Sequence, residues 1–175
     1  MMICEKLQKA LAELLPPETP QTPAPVPPAA GEAAAPAAAA TAPASPLKVT
    51  DYRTRGFHLD VTVAPAQVVA AAEILDRAGF FIEAVTGVDW LAEHQMEVVY
   101  DFNHMAELCR VAVRTRLDRA RPEVPTISAV FPGANWHERE THDFFGIVFT
   151  GHPDLSPLLL PEDADFHPLL KDFKP

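Results

Sequence analysis

A proline- and alanine-rich segment separates a short N-terminal stretch from the rest of this chain. Between Pro16 and Leu47 the sequence contains ten prolines and twelve alanines among 32 residues. Proline has no backbone N–H and a fixed φ angle, so such a segment forms neither a regular helix nor a strand ladder. We therefore predict a disordered linker over residues 16–47, with a mean reach of roughly 30 Å as a flexible coil.

The stretch before the linker, residues 1–15, has the pattern of a short amphipathic helix. Its apolar side chains recur at helical spacing, at Ile3, Leu7, Leu11, Leu14 and Leu15. An isolated helix of about fifteen residues is marginal in water, so the apolar stripe predicts docking on another surface. That surface belongs either to a partner subunit, which we expect first, or to the chain's own domain. The remaining alternative is that residues 1–15 form no stable structure.

Residues 48–175 predict a layered α+β domain. Four segments have the alternation or the β-branched and aromatic content of strands, over 58–63, 80–90, 96–104 and 109–118. A helix that begins near Pro65 and ends at Gly79 is expected between the first two strands. We expect a turn at Gly87. Short gaps between the last three strands favour antiparallel hairpins.

The remainder of the domain is predicted to be helical before a last strand. Prolines at positions 122 and 125 end the sheet, and two helical turns are expected before a break at Pro132 and Gly133. A helix then ends at Gly146, and a short strand over 147–151 precedes a proline-rich tail. The predicted order is β-α-β-β-β-α-β, a mixed, largely antiparallel sheet with helices packed on it.

The charge of the chain argues against several partners. The net charge is −10, and residues 136–175 contain eight acidic side chains and only three basic ones. Such a balance does not favour non-specific binding to nucleic acid or to anionic lipid. No apolar run approaches the roughly 20 residues of a membrane-spanning helix, and no secretory signal pattern is present. We therefore expect contact with a membrane only through partner subunits.

The two cysteines, Cys4 and Cys109, lie far apart and form no C-x-x-C pair. This spacing predicts neither an iron–sulfur cluster nor a structural zinc site within the chain, and we expect both residues to be reduced thiols. The arginines between positions 110 and 121 follow period-two spacing with interspersed acids, which favours a solvated strand face over a basic patch. No nucleotide-binding or serine-nucleophile motif is present.

The stretch NWHERETHDFFG, residues 135–146, resembles a metalloprotease helix at first sight. The zinc signature places two histidines four residues apart, whereas His137 and His142 are five apart. Five helical steps turn the second side chain roughly 140° away from the first. A metal-dependent hydrolase that uses His137, Glu138 and His142 therefore stays a distant alternative. Glu138 and His142, like Arg139 and Asp143, are four residues apart, so each pair is expected to lie on one face of a helix and to interact. The favoured interpretation is a charged helix with flanking aromatic residues that packs against another protein.

From residue 135 onward the sequence resembles the 30 kDa subunit, also called the C subunit, of NADH–quinone oxidoreductase (respiratory complex I). The matching elements are Glu138-Arg139-Glu140, then Asp143 to Gly146, the turn Gly151-His152-Pro153-Asp154, and the ending HPLLKDF, residues 167–173. The segment GFFIEAVTGVDW resembles an earlier strand of the same family. The resemblance covers residues 48–175 and does not include the N-terminal helix or the linker.

The resemblance implies a peripheral scaffold subunit that binds no cofactor and has no active site. In this family the subunit supports the large subunit that forms the quinone pocket, beside iron–sulfur subunits, on the cytoplasmic face of the cell membrane. It implies a partner interface at the following residues: Trp136, Glu138, Arg139, Glu140, Asp143, Phe144, Phe145, His152, Asp154, His167, Lys171 and Asp172. We expect Arg139 to make a bidentate contact with a carboxylate, either within the chain or on the partner.

The sequence departs from the family pattern at three positions. Ser156, Pro157 and Leu170 stand where respiratory members usually carry arginine. The loss of these three positive charges predicts a different partner surface at the tail. The segment ERETHDFF with His142, the segment LLLPED and the stop at Pro175 resemble the homologous subunit of energy-converting nickel–iron hydrogenases and formate hydrogenlyases. The large partner is thus either a quinone-site or a nickel–iron-site subunit. A free-standing adaptor whose N-terminal helix binds clients is a third hypothesis.

Overall fold

Five strands form the central sheet, and three helices of ten or more residues pack with it. The computed structural model describes residues 2–15 and 46–174, so the predicted linker lies outside the described residues except at its last two positions. The strands are β1 (Leu47–Val49), β2 (Leu59–Thr62), β3 (Phe80–Trp90), β4 (Gln95–His104) and β5 (Arg110–Asp118). Their order is β1-β2-β5-β4-β3. Only the β2–β5 pair is parallel in this sheet, which confirms the mixed, largely antiparallel α+β prediction.

The helices are short and end at recognisable signals. They are α1 (Met2–Leu14), α2 (Tyr52–Arg55), α3 (Val68–Arg77) and α4 (Ala134–Phe145), with 3₁₀ turns at Pro65–Gln67 and Leu91–Glu93. Gly79 follows α3 at a φ of 81°, and Gly146 follows α4 at a φ of 73°. Glycine adopts this left-handed conformation without steric cost, so both positions end a helix as the sequence predicted.

The region between the sheet and α4 differs from the prediction. Two short strands, β6 (Glu123–Pro125) and β7 (Val148–Thr150), pair in parallel as a separate two-stranded sheet. The predicted last strand is therefore β7, but it does not join the main sheet. The two helical turns expected before Pro132 are instead a hydrogen-bonded turn in which the N–H groups of Val130 and Phe131 donate to the carbonyl of Ile127. The prediction of helix there is wrong. Ile127 and Phe131 are buried in the core, but the chain between them forms a single turn rather than a regular helix.

The prediction of a turn at Gly87 is also wrong. Strand β3 continues through this residue, which pairs with Val98 of β4. The glycine is required by packing, since the ring of Phe145 lies against the position where a side chain would begin. Local sequence rules cannot distinguish this glycine from one that permits a turn.

The core lies between one face of the sheet and the helices. Strands β4 and β5 contribute its centre, with Met96, Val98, Tyr100, Phe102 and Val113 all buried. The opposite face is charged, as the arginine spacing predicted. Its arginines are paired with acids rather than simply solvated: Arg110 with Glu83, Arg114 with Asp60 and Glu97, and Arg116 with Glu93 and Glu97.

Helix α1 packs on the chain's own domain, which was the second of the two predicted surfaces. Leu7 and Leu11 are fully buried in the common core. The side-chain amide of Gln67 donates to the carbonyl of Leu14 at 2.8 Å. The apolar stripe that we expected to bind a partner protein is therefore used within the chain.

The expectation of two reduced thiols is wrong as well. Cys4 of α1 and Cys109, which directly precedes β5, form a disulfide with their Cα atoms 6.0 Å apart. The docking of α1 brings the two residues together across a sequence separation of 105, and spacing in the sequence showed no sign of this. In residues 2–15 and 46–174, no helix combines the length and apolar character needed to cross a membrane.

Candidate functional site

Helix α4 lies on strand β3 and carries the stretch that the sequence singled out. Three of its four buried positions, Ala134, Glu138 and Thr141, recur at helical spacing and face the domain. The hydroxyl of Thr141 donates to the carbonyl of Val85 in β3 at 3.2 Å. Trp136 and Glu140 lie on the opposite side and are exposed. The helix therefore has one face fixed on the sheet and one face free to meet another molecule.

Glu138 is completely buried beneath this helix. Its carboxylate accepts hydrogen bonds from the backbone N–H of Ile127 at 2.8 Å and from the hydroxyl of Thr126. Nε2 of His152, whose side chain is also buried, lies 3.8 Å from Glu138 Oε2. Burial raises the pKa of Glu138 to about 7, although the two hydrogen bonds act in the opposite direction. The i,i+4 contact expected between Glu138 and His142 does not form, because Glu138 points inward.

Tyr100 of β4 adds a second buried polar group near Glu138. Burial, together with the charge of Glu138, raises the pKa of the Tyr100 phenol well above its usual value. Within the described part of the chain its hydroxyl has no hydrogen-bond partner. The inner side of α4 is thus an apolar interior with a few enclosed polar groups.

Asp143 holds the C-terminal tail, which we define as residues 151–174, at residues 158–160. One oxygen of its carboxylate accepts hydrogen bonds from three consecutive backbone N–H groups, those of Leu158, Leu159 and Leu160, at 2.8, 2.8 and 3.3 Å. Burial alone would raise the pKa of Asp143, but the three amide hydrogen bonds outweigh it and the pKa lies below its usual value. The predicted pairing with Arg139 is not formed, since the tail occupies this carboxylate.

His167 attaches the tail to the end of α4. Its Nδ1 lies 2.8 Å from the carbonyl oxygen of Asp143. The ring covers Gly146 so closely that a Cβ at this glycine would lie 2.7 Å from His167 Cδ2. The N–H of Leu169 donates to the carbonyl of Phe144 at 3.1 Å. The tail therefore caps carbonyl groups of the last helical turn.

A second anchor joins the tail to the ends of β3 and β5. Asp89 is buried, and its carboxylate accepts two hydrogen bonds from the guanidinium of Arg119, at 2.8 and 3.1 Å. The same carboxylate accepts from the backbone N–H of Lys171 at 2.8 Å, and Arg119 also contacts Asp172 at 2.6 Å. The hydrogen bonds from Arg119 are the main reason that the pKa of Asp89 is lowered.

The anchor at Asp89 is absent from the features predicted above. Asp89 occupies a position of β3 whose side chain faces the core, since it pairs with the buried Met96. An acidic residue in an apolar strand next to Trp90 was the available signal, because a buried carboxylate needs a charged partner. The sequence placed Arg119 on the solvated strand face with the other arginines. In the structure it follows the end of β5 and pairs with the buried Asp89.

Arg139 lies on the outer side of α4, beside Trp136. Its guanidinium donates to the carbonyls of Ser156 and Pro157 and to the hydroxyl of Ser156, each at 3.1 Å. It also lies 5.7 Å from the centre of the Trp136 ring. No ion pair of Arg139 with a carboxylate is present among the described residues, so the expected bidentate contact is not made within them. Arg139 instead holds the tail segment at Ser156 and Pro157.

The turn at residues 151–154 has its own hydrogen bonds. The N–H of Asp154 donates to Nδ1 of His152 at 3.1 Å, and Asp154 accepts from the N–H of Ser156 at 2.9 Å. This second hydrogen bond is the main reason that the pKa of Asp154 is lowered. The turn therefore connects the buried His152 to the segment that Arg139 binds.

The predicted interface residues thus fall into two groups. The side chains or backbones that fix the helix and tail inside the chain are those of Glu138, Asp143, Phe145, His152, His167, Lys171 and Asp172. The side chains of Trp136, Glu140 and Asp154 are exposed, and Arg139 and Phe144 are partly so. Large apolar side chains of the tail are also exposed, namely Leu159, Phe166 and Leu169. We call Trp136, Leu159, Phe166 and Leu169 the exposed apolar set.

A group that could hold a metal ion occurs elsewhere. A ring nitrogen of His58 and the sulfur atoms of Cys4 and Cys109 lie within 4.8 Å of one another. On α4, by contrast, Nδ1 of His142 contacts the carbonyl of Ile147 at 2.9 Å. Helix α4 and the tail therefore present exposed apolar side chains on a hydrogen-bonded backbone, and most of the charged residues around them are acidic.

Comparison with known proteins decides the family. The family model of the 30 kDa subunit of respiratory-chain NADH dehydrogenase matches residues 61–175. The chain belongs to this family. The match includes β3, α4 and the whole tail, so the two anchors described above lie within the region shared with the family.

Curated relatives and solved structures agree with this assignment. The C subunit of NADH-quinone oxidoreductase from Roseiflexus sp. (strain RS-1) is 43% identical over 119 residues, which are 65% of this chain and 68% of the relative. Its counterpart from Moorella thermoacetica is 38% identical over 122 residues, 68% of this chain and 82% of the relative. A membrane-bound sulfane sulfur reductase, an archaeal respiratory membrane complex, contains a chain with a TM-score of 0.64 and 26% identity, with coverage of 75% of this chain and 79% of that one. A trypsin-resistant fragment of Nqo5 has a TM-score of 0.52 and 29% identity, with coverage of 59% and 92%.

Proposed function

We propose that this member of the 30 kDa subunit family is a scaffold subunit of a complex I-type oxidoreductase and has no active site or cofactor of its own. The observation that carries the proposal is the exposed apolar set on a backbone that Asp143 and Asp89 hold in place. Exposed Trp, Phe and Leu side chains on a fixed backbone are suited to bury against another protein, because little conformational entropy is lost on binding.

The proposed partner is the large subunit of the same complex, the one that forms the quinone site, with iron–sulfur subunits beside it. The curated relatives are named as parts of NADH-quinone oxidoreductases, which supports the quinone-reducing type. The chain would then lie at the cytoplasmic face of the cell membrane as a peripheral subunit and contact the membrane only through its partners. The acidic balance of residues 136–175 favours a partner surface with basic residues around an apolar centre.

The predicted interface residues have two proposed roles. Trp136, Arg139, Glu140 and Phe144 contact the partner directly, together with the turn at Asp154. The buried residues Glu138 and Asp143 and the tail residues His167, Lys171 and Asp172 act indirectly, because they hold the contact surface in position. Glu138 and Asp143 are assigned to the indirect group because they are buried, and the tail residues because they attach the tail to α4 and β3. Arg139 and Asp154 also bind the tail within the chain, but both remain partly or fully exposed.

A second candidate is the equivalent subunit of a membrane complex whose large subunit holds a nickel–iron site. Two observations favour a complex other than a quinone reductase. A chain of the archaeal sulfane sulfur reductase shares the fold with a TM-score of 0.64, so the fold also serves a respiratory membrane complex of another kind. The resemblance also implies arginines in respiratory members where Ser156 and Pro157 stand, and here the carbonyls of these two residues accept hydrogen bonds from Arg139.

The proposal is tested by removing the exposed apolar side chains of the tail in the complete complex. Leu159, Phe166 and Leu169 are replaced together by serine, and the amount of this chain that co-purifies with the large subunit is measured with the quinone reductase activity. We expect less assembled complex and unchanged turnover per assembled complex. Replacement of Met105 and Leu108 by serine is the matched control, since these side chains are at least as exposed and lie on the β4–β5 loop. Normal assembly with lost turnover would contradict the proposed scaffold role.

A further inference from the structure

The disulfide between Cys4 and Cys109 lies beside two ring side chains at the edge of the domain. Cys109 is completely buried, whereas Cys4 is partly exposed. A ring nitrogen of His58 lies within 4.8 Å of both sulfur atoms. The ring of Tyr52 stacks on His58 with a centroid distance of 4.7 Å and an interplanar angle of 15°. Cys4 is thus the more exposed of the two residues, and Cys109 is enclosed next to an imidazole.

The hydrogen bonding of His58 determines which chemistry this group can perform. Its Nδ1 accepts a hydrogen bond from the backbone N–H of Arg110 at 3.0 Å. A neutral imidazole with an accepting Nδ1 carries its proton on Nε2. The remaining nitrogen is then a hydrogen-bond donor and has no free lone pair for a metal ion. This arrangement favours stabilisation of a thiolate over coordination of zinc.

We propose that Cys4, Cys109 and His58 form a thiol–disulfide exchange site that fastens helix α1 to the domain reversibly, with a dithiol reductant as the reaction partner. A thiolate of the reductant attacks Sγ of Cys4, the accessible sulfur. The bond between the two cysteine sulfurs breaks, and its electron pair goes to Sγ of Cys109. The imidazole of His58, one ring nitrogen of which lies within 4.8 Å of the sulfur of Cys109, stabilises the thiolate that leaves.

The second thiol of the reductant completes the exchange. As a thiolate it attacks the reductant's own sulfur in the mixed disulfide, and Cys4 leaves as a thiolate. The chain gains two electrons, and the two protons released by the reductant's thiols end on Cys4 and Cys109. The reductant becomes a disulfide, so atoms, protons and electrons balance. Oxidation of the chain by a disulfide compound is the reverse reaction.

The structural consequence concerns helix α1. Without the covalent bond, the contacts of α1 with the domain include the burial of Leu7 and Leu11, the hydrogen bond from Gln67 to the carbonyl of Leu14, and the hydrogen bond from the N–H of Ile3 to Glu107 at 3.4 Å. A single short helix with one apolar stripe docks only weakly when the chain that connects it is long, because its effective concentration is low. Reduction is therefore expected to let α1 detach and to expose its apolar stripe.

The first experiment compares oxidised and reduced full-length protein by hydrogen exchange of residues 2–14. We expect protection of these amides to fall about tenfold or more on reduction, while protection in β4 is unchanged. The variant Cys4→Ser should behave as the reduced protein in both buffers. Equal protection of α1 in the oxidised, reduced and C4S proteins would overturn the proposal. So would a chain that stays a dithiol in oxidising glutathione buffer, measured by alkylation and mass spectrometry.

The second experiment measures the rate at which dithiothreitol reduces the disulfide. His58→Asn keeps an acceptor for the Arg110 N–H but removes the second ring nitrogen, and we expect reduction to be slower by roughly tenfold. His94→Asn is the control. His94 is exposed and has a positive φ of 52°, which asparagine tolerates, and its rate should not change. Equal rates for H58N and the wild type would contradict the role of His58, and one equivalent of Zn²⁺ retained by the reduced chain would indicate a metal site instead.

Discussion

The ring of Phe145 occupies the space in which a side chain at Gly87 would begin. A Cβ built on Gly87 lies 2.5 Å from Cδ2 of Phe145 and 2.9 Å from two further ring carbons. Real Cβ atoms do not approach a ring carbon this closely. Helix α4 can therefore rest on β3 at its observed distance only because residue 87 has no side chain.

Replacement of Gly87 by alanine should destabilise the domain. The added methyl group must displace Phe145, and overpacking of this kind costs about 1–3 kcal/mol of the free energy of unfolding, measured by urea denaturation. Gly133→Ala is the control, because its Cβ would lie 3.5 Å from Cγ2 of Ile82 and its φ of −63° suits alanine. That change should leave stability unchanged or raise it by up to about 1 kcal/mol. An unaltered unfolding free energy for G87A would contradict the contact.

Glu138 predicts a pH dependence of stability in a defined range. Its pKa is raised from the ordinary 4.5 to about 7 in the folded chain because it is buried, so the native state binds the proton more tightly than the unfolded state does. This contribution is fully present below pH 4.5 and is lost as pH rises through about 7, with a total of roughly 3 kcal/mol.

The measurement compares wild type and Glu138→Gln by denaturation between pH 4.5 and 8. Glutamine accepts from Ile127 with its oxygen and donates to Thr126 with its amide, so it replaces the protonated acid. The stability of E138Q relative to wild type should rise as pH increases through this range. Parallel pH profiles of the two proteins would show that Glu138 titrates normally in the folded state.

Arg119 and Arg121 should differ sharply although they are two residues apart. The partner of Arg119 is Asp89, whose side chain is 0% exposed, whereas Arg121 is 78% exposed and pairs with the exposed Glu123. Arg119→Ala leaves a buried carboxylate without its charged partner and should cost roughly 3–5 kcal/mol. Arg121→Ala should leave the unfolding free energy nearly unchanged, because an exposed ion pair contributes little. Similar losses for both variants would be inconsistent with a buried anchor at Asp89.

The elements that could be predicted from the sequence are those encoded by local spacing. The alternation around Val98 and Val113 identified β4 and β5, and Gly79 and Gly146 marked the ends of α3 and α4. In these places the residue pattern and the final burial have the same period, so local and tertiary preferences agree.

The unpredicted features depend on contacts between distant residues. Gly87 was interpreted as a turn because the ring that explains it lies 58 positions later in α4. The disulfide joins residues 105 positions apart, which meet only because α1 packs on the domain. Strands β6 and β7 pair although the whole of α4 lies between them in the sequence. Asp143 was expected to pair with Arg139 one turn away, but it instead receives three N–H groups from the tail. Every residue except proline has a backbone N–H, so the sequence does not indicate which of these groups will bind a carboxylate.

The two tryptophans of the chain provide the most direct test of the proposed interface. Trp136 on α4 is 63% exposed and lies beside Arg139, whereas Trp90 at the end of β3 is 38% exposed and lies 4.4 Å from Arg116 on the open face of the sheet. Each is an exposed ring next to an arginine, but only Trp136 belongs to the exposed apolar set. The affinity of each alanine variant for the large subunit of the complex is the quantity to measure. We predict that Trp136→Ala weakens binding by about tenfold or more while Trp90→Ala has no effect. If W136A binds as the wild type does and W90A binds more weakly, the interface lies on the open sheet face, which would contradict the proposed function.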